Sequence, residues 1–417
     1  MKFTVLIAPS GFKGSVSARQ VADLIAIGVL RGQPDARIIK APLVDGGEGF
    51  TEAITDATDG ILHAVTVTGP VGHPVASFFG VLGGPGPKTA IIEMAAAAGL
   101  SLVPTDMRDP TVTTSYGVGE LIAAALDEGA ERILLGCGDS GINDGGAGMV
   151  QALGVGLVDR DGAPIGLGGA QLACLDRIDL STRDPRLEDV VIDAAVNWHN
   201  VLLGKRGVAN VFGPQKGATP DQVEQLEAAL QNYAAKILDH TGLDMGSAPG
   251  SGASGGLGTG LAALLGGTLH PRYDIVMQYL ELDRLIAMAD LVITAEGCLD
   301  GQTPYGKIPS EVARRAKQFN LPVVVLAGTI GKGVTDNFAH GIDAFASILK
   351  RPGSLADAIA DTDRLLVQAA EDCIRMVGVG VTLSQSNDHR AAPSSSPSEA
   401  SVSRVSRRPD LSPDGNK

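Results

Sequence analysis

Five short stretches of this sequence combine glycine with carboxylate, amide and lysine side chains: "APSGFKGS", "PLVDGGEGF", "GDSGINDGGAGM", "FGPQKGATP" and "AEGCLDGQTPYGK". Glycine lets a backbone approach a ligand closely and offers its N–H groups to an anion. Asp45, Glu48, Asp144, Glu296 and Asp300 supply hard carboxylate oxygens. These suit Mg²⁺, which keeps several waters and needs only one or two carboxylates beside substrate phosphates. Lys13, Lys216 and Lys307 can neutralise the oxygens of a transferring phosphoryl group. The chemistry this combination suits is phosphoryl transfer. Taken singly, "NDGG" or "VDGGEG" reads as an ordinary turn, because Asp-Gly and Gly-Gly are common turn residues. Recurrence at the ends of apolar runs is what points to a cleft.

Those loops need elements to hold them. "FTVLIAP" is an apolar run ending at Pro9, and the segment after it places Val21, Leu24, Ile25 and Val29 at helical spacing. Ser17 and Gln20 form a capping-box pair, so the loop from Ser10 to Val16, which contains Lys13, feeds a helix N-terminus whose free N–H groups attract anions. The same strand, loop, helix order returns at "RILLGCG", at "ADLVITAEGCLDGQT" before "SEVARRAKQF", and at "LPVVVLAGTIGKG". Alternation of this kind predicts an α/β fold with parallel sheets, helices on both faces, and ligands beyond the carboxyl ends of the strands.

Two motifs mislead. "GQTPYGK" approaches a phosphate-binding P-loop, yet Ile308 stands where Ser or Thr should hold Mg²⁺, and Pro304 interrupts the row of N–H groups. "GSGASG" fits the dinucleotide fingerprint but follows "HTGLDMGSAP" rather than a strand, so it reads as the opening of a helix.

The chain has 417 residues, 44% of them hydrophobic, which is too long for one small core and suits two α/β lobes or one split domain. A net charge of −14 disfavours nucleic acid and anionic membranes as partners. No apolar run has the length of a membrane span, and Pro9 comes too early for a signal-peptide core, so a cytoplasmic location is expected. Cys137, Cys174, Cys298 and Cys373 lack the spacing of a disulfide framework or a zinc site. From about Gly380 the composition turns to Ser, Pro and Arg, and residues 381–417 are expected to be a disordered tail.

"LVDGGEGF", "SGINDGGAGM", "NVFGPQKGATP", "PGSGASGGLGTGL" and "ADLVITAEGCLDGQTPYGKIP" occur in the same order in the bacterial glycerate kinase family, and over roughly residues 3 to 378 the chain resembles that family. The resemblance implies a kinase that uses ATP and Mg²⁺ on a small hydroxy acid, typically making 2-phosphoglycerate, without a P-loop. It implies a Rossmann-like α/β lobe, assigned to 1–60 and 288–380, interrupted by a second α/β lobe at 61–287, with the active site between them. The glycine-rich loop would grip substrate or phosphate through Ser140, Asn143, Asp144, Gly145 and Gly146. Asn197, Gln215, Lys216, Gln302 and Lys307 complete the expected binding set, and Asp45, Glu296 and Asp300 the metal set, with Lys13 stabilising the transferring charge. The hydroxyl proton would go to Asp45 or Asp144; glycines flanking Asp45 favour it. Partners are the hydroxy acid and ATP, and a homo-oligomer is left open.

Four positions depart from the family pattern. Ser10 and Asn197 stand where aspartates are usual, Asp139 replaces a glycine, and Cys298 replaces an arginine. Beside Asn197, Trp198 and His199 read either as a repacked surface or as a reshaped pocket. The departures keep two alternatives in view: a kinase of a related sugar acid, and a non-catalytic descendant that binds a metabolite. The retained lysines and carboxylates speak against the second.

Overall fold

The computed structural model describes residues 3–12, 15–44 and 46–391, the last eight of these in backbone only. Lys13 and Asp45 therefore lie outside the described residues. So do residues 392–417 of the expected tail.

Two sheets organise the chain. The first is five-stranded and wholly parallel, in the order Ala344–Ser347, Val323–Ile330, Leu291–Leu299, Thr4–Ile7, Arg37–Lys40. Its three central strands are runs of β-branched and aliphatic residues, largely buried as crossover helices require, while the edge strands Arg37–Lys40 and Ala344–Ser347 are partly exposed. The second sheet has six strands, ordered Thr268–Pro271, Val191–Val196, Arg132–Gly136, Thr89–Glu93, Pro74–Val81, Ile61–Thr68. Its first four strands are parallel, but Ile61–Thr68 and Pro74–Val81 pair antiparallel as a hairpin. This hairpin departs from the expectation of parallel sheets throughout. A short reversal such as Gly69–Gly72 joins only antiparallel neighbours, since a parallel pair needs a crossover.

The helix Ala18–Gly32 begins as its capping box dictates, with Ser17 Oγ accepting from the Gln20 N–H and the Gln20 side chain accepting from the Ser17 N–H. Gly28 and Gly32 face the long C-terminal helix Thr362–Ala391 so closely that a Cβ on Gly28 would lie 2.2 Å from the Val367 carbonyl. That approach buries Leu366, Ala370 and Ile374 against Val21, Ile25 and Val29. Each large aliphatic side chain so buried contributes about 1.5–3 kcal/mol. The helix then continues past position 380 to Ala391, into the segment expected to be disordered. Extending a helix already docked costs far less than starting one, so polar composition alone did not end it.

A shared core joins the sheets. Leu6 and Val292 of the first, with Ala8 just beyond its strand, pack in one cluster with Ile91, Leu134 and Ala195 of the second. Where the carboxyl ends of the two sets of strands meet, backbone lies on backbone: a Cβ on Gly138 would come within 2.7 Å of Gly47. Among the described residues no helix is long and apolar enough to cross a membrane.

Candidate active site

The strand Leu291–Leu299 delivers one cluster. Glu296 is 7% exposed and accepts a 2.7 Å hydrogen bond from Thr303 Oγ1. Lys307, at the N-cap of the helix Ile308–Gln318, reaches back so that its Nζ lies 3.1 Å from Asp300 Oδ1 and 3.8 Å from Glu296 Oε2. It also donates to the Cys298 carbonyl at 3.1 Å. Burial pushes the Glu296 carboxyl up to about 7, against the pull of Thr303 and Lys307 and with a push from Asp300. Partial burial acts the same way on Asp300, but its bonds from Lys307 and the Gln302 N–H prevail and hold it below the usual carboxylate range. The buried Asn337 amide fixes the Asp300 carbonyl at 2.9 Å, and Gly301 N–H donates to the Lys332 carbonyl. Asp300 is thus a well-fixed anion whose Oδ2, among the described residues, meets only the Cys298 thiol, at 3.8 Å.

Neighbouring loops continue this edge. Ser10 donates to the Ala295 carbonyl from both its N–H and its Oγ, at 2.9 Å each, so the residue in the aspartate position is tied to the Glu296 strand. Leu43 N–H bonds the Pro9 carbonyl, which brings up the Gly46–Gly49 turn, and there Glu48 N–H donates to Asp139 Oδ2 at 3.1 Å. Asp139 has φ 48°, in the left-handed region that favours glycine, which accounts for the glycine usual at this position.

Asp144 sits otherwise than a proton acceptor should. It is 0% exposed. Its Oδ2 accepts from the Ser115 N–H at 2.7 Å, the Ser115 hydroxyl at 2.8 Å and the Gly148 N–H at 3.2 Å, while Oδ1 accepts from the Gly146 N–H at 3.1 Å. Burial raises its pKa and these donors lower it. The expectation of a base facing substrate gives way to that of a carboxylate organising its own loop. Gly145 and Gly146 have φ of 67° and 79°, and a Cβ on Gly145 would strike the Tyr233 ring at 2.7 Å. Asn143 is 0% exposed, and its amide N and O both lack a partner among the described residues.

Lys216 also differs from expectation. Only 2% exposed, it is enclosed by the chain, and its Nζ donates to Ser140 Oγ at 2.9 Å and to the Ile142 carbonyl at 2.6 Å. Gln215 and Gln302 are exposed. Asn197 follows the strand Val191–Val196, where its Oδ1 accepts from the His199 N–H at 3.2 Å in a local turn, and Trp198 is partly exposed against Gly250.

Sequence reading passed over Glu93, which ends the strand Thr89–Glu93 and accepts from the N–H groups of Gly49 and Thr51 at 3.3 and 2.9 Å. Burial pushes it up to about 7, with Glu52 and Glu48 adding repulsion against those two bonds. Its position after the apolar run "AII" was the available signal. Among the described residues no group of three or more His, Cys, Asp and Glu could hold a metal by itself.

The sequence model of the glycerate kinase family matches residues 5–378. A glycerate kinase of Haemophilus influenzae is 47% identical over 90% of this chain and 99% of its own length. The glycerate 2-kinase of Escherichia coli K12 is 44% identical over 90% and 98%. A crystal structure described as a glycerate kinase 2 from Salmonella typhimurium LT2 superposes with a TM-score of 0.82 at 44% identity, covering 91% of this chain and all of that one.

Proposed function

The chain belongs to the glycerate kinase family, and on that premise we propose that it is an ATP-dependent kinase that phosphorylates the 2-hydroxyl of glycerate where the loops of the two sheets meet. The observation that carries the reading is the Lys307 ammonium placed between Asp300 and Glu296 at the carboxyl end of a parallel strand. A cation with flanking carboxylates at such an end suits a polyphosphate and its counter-ion.

Glu296 and Asp300 fit Mg²⁺, because Asp300 is held ionised with one oxygen nearly unengaged, and an ion that keeps most of its waters needs no third protein carboxylate. Bound there, Mg²⁺ would neutralise charge on the phosphates. The protein's own part is positioning. Lys307 offers a point charge to phosphoryl oxygens, and the Gly331–Gly333 turn, strapped to Gly301, fixes the loop that carries Asp300. Of the two carboxylates expected to take the hydroxyl proton, Asp144 has both oxygens occupied, which leaves Asp45 on the sequence argument alone.

A coupled ADP-release assay over a panel of hydroxy acids, run with and without Mg²⁺ and followed by ³¹P NMR of the product, tests the proposal. Turnover of glycerate to 2-phosphoglycerate is expected. Turnover of a four- to six-carbon aldonate with none of glycerate would replace the substrate, a reading to which Ser10 and Asn197 lend support.

A further inference from the structure

We infer that Lys216 is a positioning residue that acts through Ser140: it turns the Ser140 hydroxyl proton toward the cleft, where that proton is donated to an anionic oxygen of bound substrate. The inference rests on the kinase reading above for the identity of its ligands. Its basis is geometric. An ammonium group has donors and no lone pair, so while Lys216 is protonated the Ser140 Oγ, 2.9 Å from its Nζ, must accept. The hydroxyl hydrogen is then excluded from the side facing the amine. Among the described residues no acceptor takes it, and Ser140 is half-buried beside the exposed Asp139. The hydroxyl proton is therefore free for an acceptor outside the protein, the role assigned to the bound anion.

Lys216 is well suited to that task and poorly suited to direct contact. The Ile142 carbonyl, 2.6 Å away, fixes the amine while the chain around it excludes water. Burial lowers its pKa to about 7 despite the upward pull of the Asp144 charge. An anion arriving at Ser140 favours the ammonium in the same sense as Asp144, so binding and hydroxyl orientation reinforce one another. The contact of Lys216 toward the cleft is thus the Ser140 hydroxyl, although its residue type suggests a direct phosphate contact.

The test compares Ser140→Ala, Lys216→Met and the double variant of the full chain, with the hydroxy acid titrated at saturating ATP in one arm and ATP at saturating acid in the other. Parent turnover on the acid panel fixes which acid is used, so a wrong substrate is recognised before the variants are compared. Each single variant is expected to lose at least tenfold in kcat/KM in the same arm, and the double variant to lose no more than the worse single, because both changes remove one contact. Loss through KM in the acid arm assigns the oxygen to the substrate carboxylate, and loss in the ATP arm assigns it to a phosphate. Parent-like kcat/KM for Ser140→Ala in both arms overturns the inference, as do losses that multiply in the double variant. Should Lys216→Met not fold, Lys216→Gln, which keeps an N–H donor, takes its place, and Ser140→Ala still decides by itself whether the hydroxyl matters.

Discussion

Lys307 Nζ stands 3.1 Å from Asp300 Oδ1, bridging seven positions of chain to bind a carboxylate held by two further contacts, from the Gln302 N–H and through the Asn337 amide on its carbonyl. Asp300→Asn keeps the shape and removes the charge. Turnover is expected to fall a hundredfold or more, on the order of 3 kcal/mol of transition-state stabilisation, with a raised Mg²⁺ requirement. Parent-like turnover across a Mg²⁺ titration would make Asp300 a turn residue and displace the proposed site.

Asp144→Asn should behave differently. An amide NH₂ would face donors now satisfied by Oδ2, and the loss is expected to be about 2–4 kcal/mol of stability, read by denaturant unfolding. Substrate KM of the folded fraction should stay within threefold of the parent. A stable variant with kcat reduced a thousandfold would restore Asp144 as the base.

Glu93 gives a pH signature. Its folded pKa, about 7, lies above the ordinary 4.5, so its carboxyl holds a proton longer in the folded than in the unfolded chain. Its favourable share of stability is complete below about pH 4.5 and is lost as pH rises through about 7. The stability of Glu93→Gln relative to the parent should therefore increase between pH 5 and 8, by about 3 kcal/mol at most. Unfolding free energies whose difference is the same at both pH values would mean that Glu93 is ionised throughout.

Restoring the family pattern tests the departures. Asn197→Asp retains the oxygen that accepts from the His199 N–H, and Ser10→Asp exchanges a donor to the Ala295 carbonyl for a carboxylate that must turn outward. The double variant is expected to shift the kcat/KM ratio toward glycerate over the best competing acid by about tenfold. An unchanged ratio in a stably folded protein would show that these positions do not set preference.

Much of this protein could be read from residue order. Ser17 and Gln20 gave a helix start that the structure keeps atom for atom, since a capping box is satisfied within four residues. The run "ADLVITAEGCLDGQTPYGK" likewise carried its strand, its carboxylates and its lysine within one unit, and Glu296, Asp300 and Lys307 lie together at the end of that strand. What sequence could not supply was which side of the protein each polar group would face. Asp144 and Lys216 have the residue types of a base and a phosphate ligand, yet packing of Tyr233, Ser115 and the Gly255 turn encloses the loop and gives both groups internal partners. Burial and partnering depend on chain segments dozens to hundreds of residues apart, and only tertiary structure brings those together.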